Sequence, residues 1–178
     1  METVQIKDKT FKLYISKEQI QERIAELANE LNRTYEGKEV IVLPVLNGAF
    51  MFASDFVRKL RVEPEIQFVK VSTYGDGLTS SEHANVLLGL NKGVAGKEVV
   101  IVEDIVDTGY TLQFLRQYLS SIGATSVKMV TLLFKPDNYQ FDNPPEYKGF
   151  SIPSDFVVGY GLDYAQKGRE LESIYTLI

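Results

Sequence analysis

VVIVEDIVDTGYTL, residues 99–112, is the most informative stretch of the chain. Val99-Val100-Ile101-Val102 is a continuous β-branched run, the composition of a strand buried on both faces. It delivers two acids, Glu103 and Asp104, to its carboxyl end. Ile105 and Val106 follow, then Asp107-Thr108-Gly109-Tyr110-Thr111, then a helical stretch from Thr111 to Ser121 with Leu112, Leu115 and Leu119 in register and Gly123 as its stop. A turn that opens a helix exposes successive N–H groups. Gly109 permits close backbone approach and an unusual φ there. With the Thr108 and Thr111 hydroxyls added, the turn makes a cup for a monoester phosphate. The same residues admit a plainer reading, because Asp and Thr are good N-caps and Asp-Thr-Gly can simply start a helix. The preceding acid pair shifts the balance. Two adjacent carboxylates repel unless something cationic or hydrogen-bonding meets them, and both ribose hydroxyls and a divalent ion fill that need. The ATP-binding pattern G-x-x-x-x-G-K-[ST] is absent.

Outward from this stretch, two more apolar runs read as buried strands. Val40-Ile41-Val42-Leu43 ends at Pro44, and a loop from Val45 to Gly48 leads into a helix expected over Ala49–Leu60. Val127 to Phe134 is the third run. Upstream, Thr10 to Ile15 alternates as a short strand, and Ser16 opens a capping box with Gln19. Ile20, Ile24, Leu27 and Leu31 then form one apolar helix face that ends near Tyr35, with Gly37 as the stop. Glu65–Thr73 and Asn85–Leu90 read as strands, Gly75–Asn85 between them as a mobile loop, and Lys92–Lys97 as a turn. Pro136–Gly149 reads as a Pro-rich loop, Phe156–Val158 as a short strand, and Ile174–Ile178 as an edge strand. Alternating strands and helices with non-alternating apolar runs predict an α/β fold, a mostly parallel sheet flanked by helices. In such sheets the ligand lies beyond the carboxyl ends of the strands. That singles out the loops Pro44–Phe50, Thr73–Asn85, Glu103–Thr111 and Phe134–Tyr139.

The 178 residues fit one domain of the usual 100–200 or so, and at about 150 residues a domain buries roughly 70% of its unfolded surface, so no staple is needed. No cysteine is present, which excludes a disulfide framework, a thiol nucleophile and Cys-ligated metal. The single histidine, His83, makes a multi-His metal site untenable and is assigned no catalytic role. A net charge of −5 disfavours a protein that coats nucleic acid, while leaving room for a local phosphate pocket built from backbone amides and a bound cation. Met1–Ser16 has no signal-peptide stretch and no run reaches about 18 apolar residues, so the chain is expected to be soluble and cytoplasmic, with no membrane partner.

Glu103-Asp104-Ile105-Val106-Asp107-Thr108-Gly109, preceded by its β-branched run, resembles the phosphoribosyl-pyrophosphate motif of the type I phosphoribosyltransferases. Further matches resemble the 6-oxopurine branch, the hypoxanthine-guanine phosphoribosyltransferases. Leu46-Asn47-Gly48-Ala49-Phe50 is similar to the pyrophosphate loop, and Ser72-Thr73-Tyr74-Gly75 to the start of the mobile catalytic loop. Lys135 matches the purine-contacting lysine, and Ile152 through Tyr164, followed by Arg169, resembles the purine hood. The resemblance runs in order from about residue 40 to about 170.

The resemblance implies a single domain over 1–178, with a small hood from about 1–15 and 136–178. It also implies transfer of 5-phosphoribosyl from phosphoribosyl pyrophosphate to N9 of hypoxanthine or guanine, with Mg2+ as cofactor. Asp107 is then the acid/base at purine N7, or only a hydrogen-bond acceptor there. Glu103, Asp104, Asp107, Thr108, Gly109, Tyr110 and Thr111 hold the phosphoribosyl group. Lys135, Ile105, Phe156, Val157 and Asp163 meet the purine, and Asn47, Gly48, Thr73, Tyr74 and Arg169 meet pyrophosphate. Glu103, Asp104 and Asp163 are the implied metal ligands. Lysine has donors only, so Lys135 should favour a 6-oxo group over adenine's 6-amino group. Two departures stand out: Asn47 where the family more often has Lys, and Thr73 where Ser is commoner. Backbone N–H groups of Asn47 and Gly48 could still bind pyrophosphate, through a non-proline cis peptide. The alternatives are a regulatory nucleotide- or RNA-binding protein on the same fold, and a xanthine phosphoribosyltransferase. A homodimer or homotetramer is expected from the family.

Overall fold

A computed structural model describes residues 2–73, 84–88, 90 and 93–178. In chain order it contains β1 (Thr3–Ile6), β2 (Lys9–Ile15), α1 (Lys17–Thr34), β3 (Val40–Leu46), α2 (Phe50–Val57), β4 (Glu65–Ile66), β5 (Val69–Thr73) and β6 (Ala84–Leu88). There follow β7 (Glu98–Val106), α3 (Tyr110–Ser121), β8 (Ser126–Phe134), β9 (Tyr147–Ser151), β10 (Val157–Val158) and β11 (Ile174–Leu177).

The large sheet has the order β6-β5-β3-β7-β8-β9, with β4 also paired to β3. Every pairing in it is parallel except that of β5 with β6. The apolar runs do not alternate because both faces are covered. Val100 and Val102 pack with Ile20, Ile24 and Leu27 of α1 and Phe52 and Phe56 of α2. Val99 and Ile101 point the other way and pack with Leu112, Leu115 and Leu119 of α3. The expected capping box closes α1: Ser16 Oγ accepts from the Gln19 N–H and the Gln19 side chain accepts from the Ser16 N–H.

A second, smaller sheet lies outside this layer, in the antiparallel order β1-β2-β11-β10, with Phe11, Val158 and Tyr175 at its core. Three expectations need correction. Ile174–Leu177 is an inner strand between β2 and β10, not an edge. Tyr147–Ser151, expected partly as loop and within the hood segment, is the outer strand of the large sheet beside β8. Arg116 explains that placement, donating to the Asn143 carbonyl and pairing with Glu146 at 2.8 Å, which swings the Pro144-Pro145 segment back along α3. Helix α2 stops at Val57 rather than Leu60, and the chain continues in tighter turns, with Lys59 N–H on Phe56 and Leu60 N–H on Val57. Among the described residues no helix is long and apolar enough to cross a membrane.

Candidate active site

Parallel strands β3, β7 and β8 end together, and their carboxyl ends carry the expected site residues. Beyond β7 the chain turns through Asp107-Thr108-Gly109 into α3. Gly109 is the N-cap at φ +91, and no side chain caps the helix. The plain capping reading of Asp107 and Thr108 therefore does not hold: the first N–H groups of α3 face the turn without a side-chain partner. A side chain at Gly109 would strike the Tyr139 ring, with a Cβ only 2.3 Å from Cε2. Glu103, Ile105, Asp107, Thr108, Gly109 and Thr111 together line a cavity of about 230 Å³. Tyr110 lies outside its walls, its hydroxyl donating to Gln140 Oε1 at 2.8 Å.

Glu103 and Asp104 are both buried, at 8% and 9% exposure. Among the described residues neither forms an ion pair with a Lys or Arg. Their hydrogen bonds are local: Glu103 Oε1 accepts from the Asp104 N–H at 3.2 Å, and Asp104 Oδ1 accepts from the Ile105 N–H at 2.9 Å. Burial pushes Glu103 well above its ordinary 4.5, and the neighbouring Asp104 charge pushes it further. Burial raises Asp104 as well, partly offset by hydrogen bonds from Glu103 and the Ile105 N–H and by the charge of Arg169. Without a cation, such a pair holds a proton that two free carboxylates would release. This donor set fits a hard divalent cation, which prefers carboxylate oxygen. Among the described residues no group of three His, Cys, Asp or Glu closes around a common point. Asp163 is not gathered with the pair; it meets Arg169 at 2.6 Å and accepts from the Gln166 N–H at 2.8 Å.

At the end of β8, Lys135 is buried and its Nζ lies 3.1 Å from Asp107 Oδ2. Asn138, which the sequence reading passed over, donates from Nδ2 to Asp107 Oδ1 at 2.6 Å. Its only sequence signal was its place in the fourth loop beyond the strand ends. Phe156 is 45% exposed, its ring backed by Phe11 at 6.2 Å and Tyr164 at 6.0 Å, while Val157 is buried in β10. Beyond β3 the Leu46–Asn47 peptide is cis. Gly48 sits against the Asp104 carboxylate, where a Cβ would lie 1.8 Å from Oδ2, and a Cβ on Gly161 would lie 2.1 Å from the Gly48 carbonyl oxygen. Arg169 donates to the Gly161 carbonyl at 2.7 Å. Thr73 closes β5, opposite Ala84. Tyr74 and His83 lie outside the described residues, as does most of the expected mobile loop.

Residues 16–165 match the family model described as the phosphoribosyl transferase domain. Over 167 residues the chain is 42% identical to the hypoxanthine phosphoribosyltransferase of Haemophilus influenzae, covering 92% of this chain and 93% of that protein. The chain belongs to the hypoxanthine phosphoribosyltransferase family. A crystal structure of a hypoxanthine-guanine phosphoribosyltransferase from Bacillus anthracis superposes with a TM-score of 0.87 at 38% identity, covering 94% of this chain and 96% of that one. The same family segment occurs inside larger proteins. The chain is 42% identical over 93% of its length to the bifunctional protein TilS/HprT of Listeria monocytogenes, and it spans about a quarter (26%) of that protein. The phosphoribosyltransferase fold thus agrees with the α/β, mostly parallel architecture expected from residues 99–112.

Proposed function

We propose that this chain is a purine-salvage pentosyltransferase. In this reading it moves 5-phosphoribosyl from phosphoribosyl pyrophosphate to N9 of hypoxanthine, and of guanine, releasing pyrophosphate. The observation that carries the reading is the Lys135–Asp107 pair, 3.1 Å apart at the ends of neighbouring strands and next to the uncapped start of α3. It sets a donor beside an acceptor. A 6-oxopurine presents the matching adjacent atoms, O6 as acceptor and N7 beside it, with N7 carrying the proton when it must be given up. Adenine would turn a 6-amino donor toward the lysine's donors.

In the reaction, purine N9 forms a bond to ribose C1 while the C1–O bond to the diphosphate breaks, its electron pair leaving with pyrophosphate. Asp107 accepts the N7 proton, or the hydrogen bond from it, as the purine becomes the nucleophile. Thr108, Gly109, Tyr110 and Thr111 receive the 5-phosphate on the N–H groups and hydroxyls of the turn. Glu103 and Asp104 hold the ribose hydroxyls, and their negative charge offsets positive charge developing on the sugar ring. They are also the residues that would hold Mg2+, which, when bound, neutralises charge on the departing diphosphate. Ile105 and Phe156 flank the purine ring and Val157 meets its edge through the backbone. Asn47, Gly48, Thr73, Tyr74 and Arg169 receive pyrophosphate. Asp163 would serve as a purine-side or second-metal ligand, for which Arg169 must release it.

We read residues 1–178 as one domain whose hood comes from about 1–15 and from the part of 136–178 that follows β9. A substrate as highly charged as phosphoribosyl pyrophosphate does not cross a membrane unaided, so a cytoplasmic setting goes with the reading. The expected homodimer or homotetramer would cover Phe50, Ile66 and Phe68, which stand exposed around one apolar groove. The deciding assay follows nucleotide formation from phosphoribosyl pyrophosphate and Mg2+ with each of hypoxanthine, guanine, xanthine and adenine. Hypoxanthine and guanine should react and adenine should not. Turnover of adenine comparable to hypoxanthine contradicts the role given to Lys135, and preference for xanthine would move the chain to that activity.

A further inference from the structure

Asp107 is held from both sides, and only one of its partners has a place in the reaction above. Lys135 Nζ meets Oδ2 at 3.1 Å and Asn138 Nδ2 donates to Oδ1 at 2.6 Å. Asn138 is itself oriented, because its Oδ1 accepts from Ser154 Oγ at 2.6 Å. An ionised carboxylate can only accept, so the amide must turn Nδ2 to Asp107 and leave Oδ1 for the serine. The turn that carries Asn138 is bonded in place. The Asn138 N–H reaches the Lys135 carbonyl at 3.3 Å, and the Gln140 N–H reaches the Thr108 carbonyl at 3.2 Å. Ser154 lies two residues before the exposed ring of Phe156. One hydrogen-bonded line therefore joins the turn after β7, the turn after β8 and the entry to the small sheet.

An aspartate's terminal torsion is broad and roughly two-fold. A lysine reaching in on a flexible four-carbon stem restrains one oxygen but leaves the carboxylate plane free to swing. A second donor on the other oxygen, from a short side chain with its own partner, removes that freedom. We propose that Asn138, oriented by Ser154, is a positioning residue for Asp107. It fixes the carboxylate plane so that Oδ2, the oxygen shared with Lys135, faces purine N7, and it ties that orientation to the segment bearing Phe156. The proposal rests on the role given to Asp107 under the proposed function.

The test is steady-state kinetics on Asn138→Ala, Asn138→Asp, Ser154→Ala and the Asn138→Ala/Ser154→Ala double variant, with thermal melting of each. Misplacement of about 1 Å can cost 10²-fold, so Asn138→Ala should lower kcat with hypoxanthine roughly 10- to 100-fold. KM for phosphoribosyl pyrophosphate and the melting temperature should stay close to wild type. Asn138→Asp keeps the shape and loses the donor, so it should be at least as slow as the alanine variant; a merely space-filling residue would be spared by that change. Ser154→Ala should lower kcat less, and the double variant should be no slower than Asn138→Ala alone, because the serine acts through the asparagine. An active wild type whose Asn138→Ala variant keeps kcat within about two-fold overturns the positioning role alone, as do Asn138 and Ser154 effects that multiply. If the Asn138 variants fail to fold, an unchanged kcat in Ser154→Ala, a substitution at an exposed position, overturns it instead. A wild type that turns over no 6-oxopurine overturns the activity and this role with it.

Discussion

Strand β7 and the turn after it carry two acidic groups under opposite conditions. Glu103 and Asp104 still lie within the strand, between β3 and β8, and are buried at 8% and 9% exposure. Asp107 is the first residue beyond the strand, its side chain 42% exposed. The buried pair faces no Lys or Arg partner among the described residues, whereas Asp107 has Lys135 on one oxygen and Asn138 on the other. The difference separates a buried carboxylate pair without a cationic partner from a carboxylate held by two side chains. Buried charge without a partner is costly, so burial raises both members of the pair.

Substitutions on the two sides of this contrast should separate by size and by kind. The largest effect belongs to Asp107→Asn, which removes the proposed proton acceptor and keeps the shape. Turnover should fall about 10²- to 10⁴-fold with a smaller change in substrate affinity, and turnover within about two-fold of wild type defeats the base assignment. Glu103→Gln should instead raise the Mg2+ concentration that supports half-maximal rate by about 10- to 100-fold, measured by metal titration of initial rates. Lys135→Gln adds an acceptor where only donors stood. The preference for hypoxanthine over adenine, as a ratio of kcat/KM, should drop roughly 10-fold. The smallest effect is on stability. With Glu103 held above 4.5 in the folded state, the folded chain binds more protons than the unfolded one from 4.5 up to that raised value. Its contribution is complete below 4.5 and is lost as pH rises through the folded value. The melting temperature of chelator-treated protein should therefore decline as pH rises above 4.5, and Glu103→Gln should flatten that decline. A slope unchanged by the substitution would assign it to other groups.

The elements legible in the sequence were those with dense local signals. Val99–Val102 and Val127–Phe134 read as doubly buried strands because successive side chains enter the α1/α2 layer and the α3 layer in turn. The Ser16–Gln19 box announced α1 because both of its bonds lie within one turn. The small sheet was harder, since its pairing of β2 with β11 joins segments that share no local pattern. Tyr147–Ser151 hid behind two prolines, and the segment before it is held by Arg116, through a pair with Glu146 30 residues away. At the site, Glu103, Asp104, Asp107 and Lys135 were visible because acids and a lysine at the ends of apolar strands are conspicuous. Asn138 was not, because an asparagine after Pro136-Asp137 is also what a tight turn needs.

The small sheet also imposes an order on how the molecule comes into being. The second strand, which carries the first on its other edge, bonds to the last, as the Lys17 N–H does to Ser173 Oγ, 156 residues away. At a ribosomal pace of about 5–20 residues per second, such a separation takes roughly 8–30 s to synthesise. For that interval the opening hairpin waits without its third strand, while the parallel layer with the acidic strand at its centre can already assemble. The layer that carries Glu103, Asp104 and Asp107 is then built before the sheet that backs Phe156.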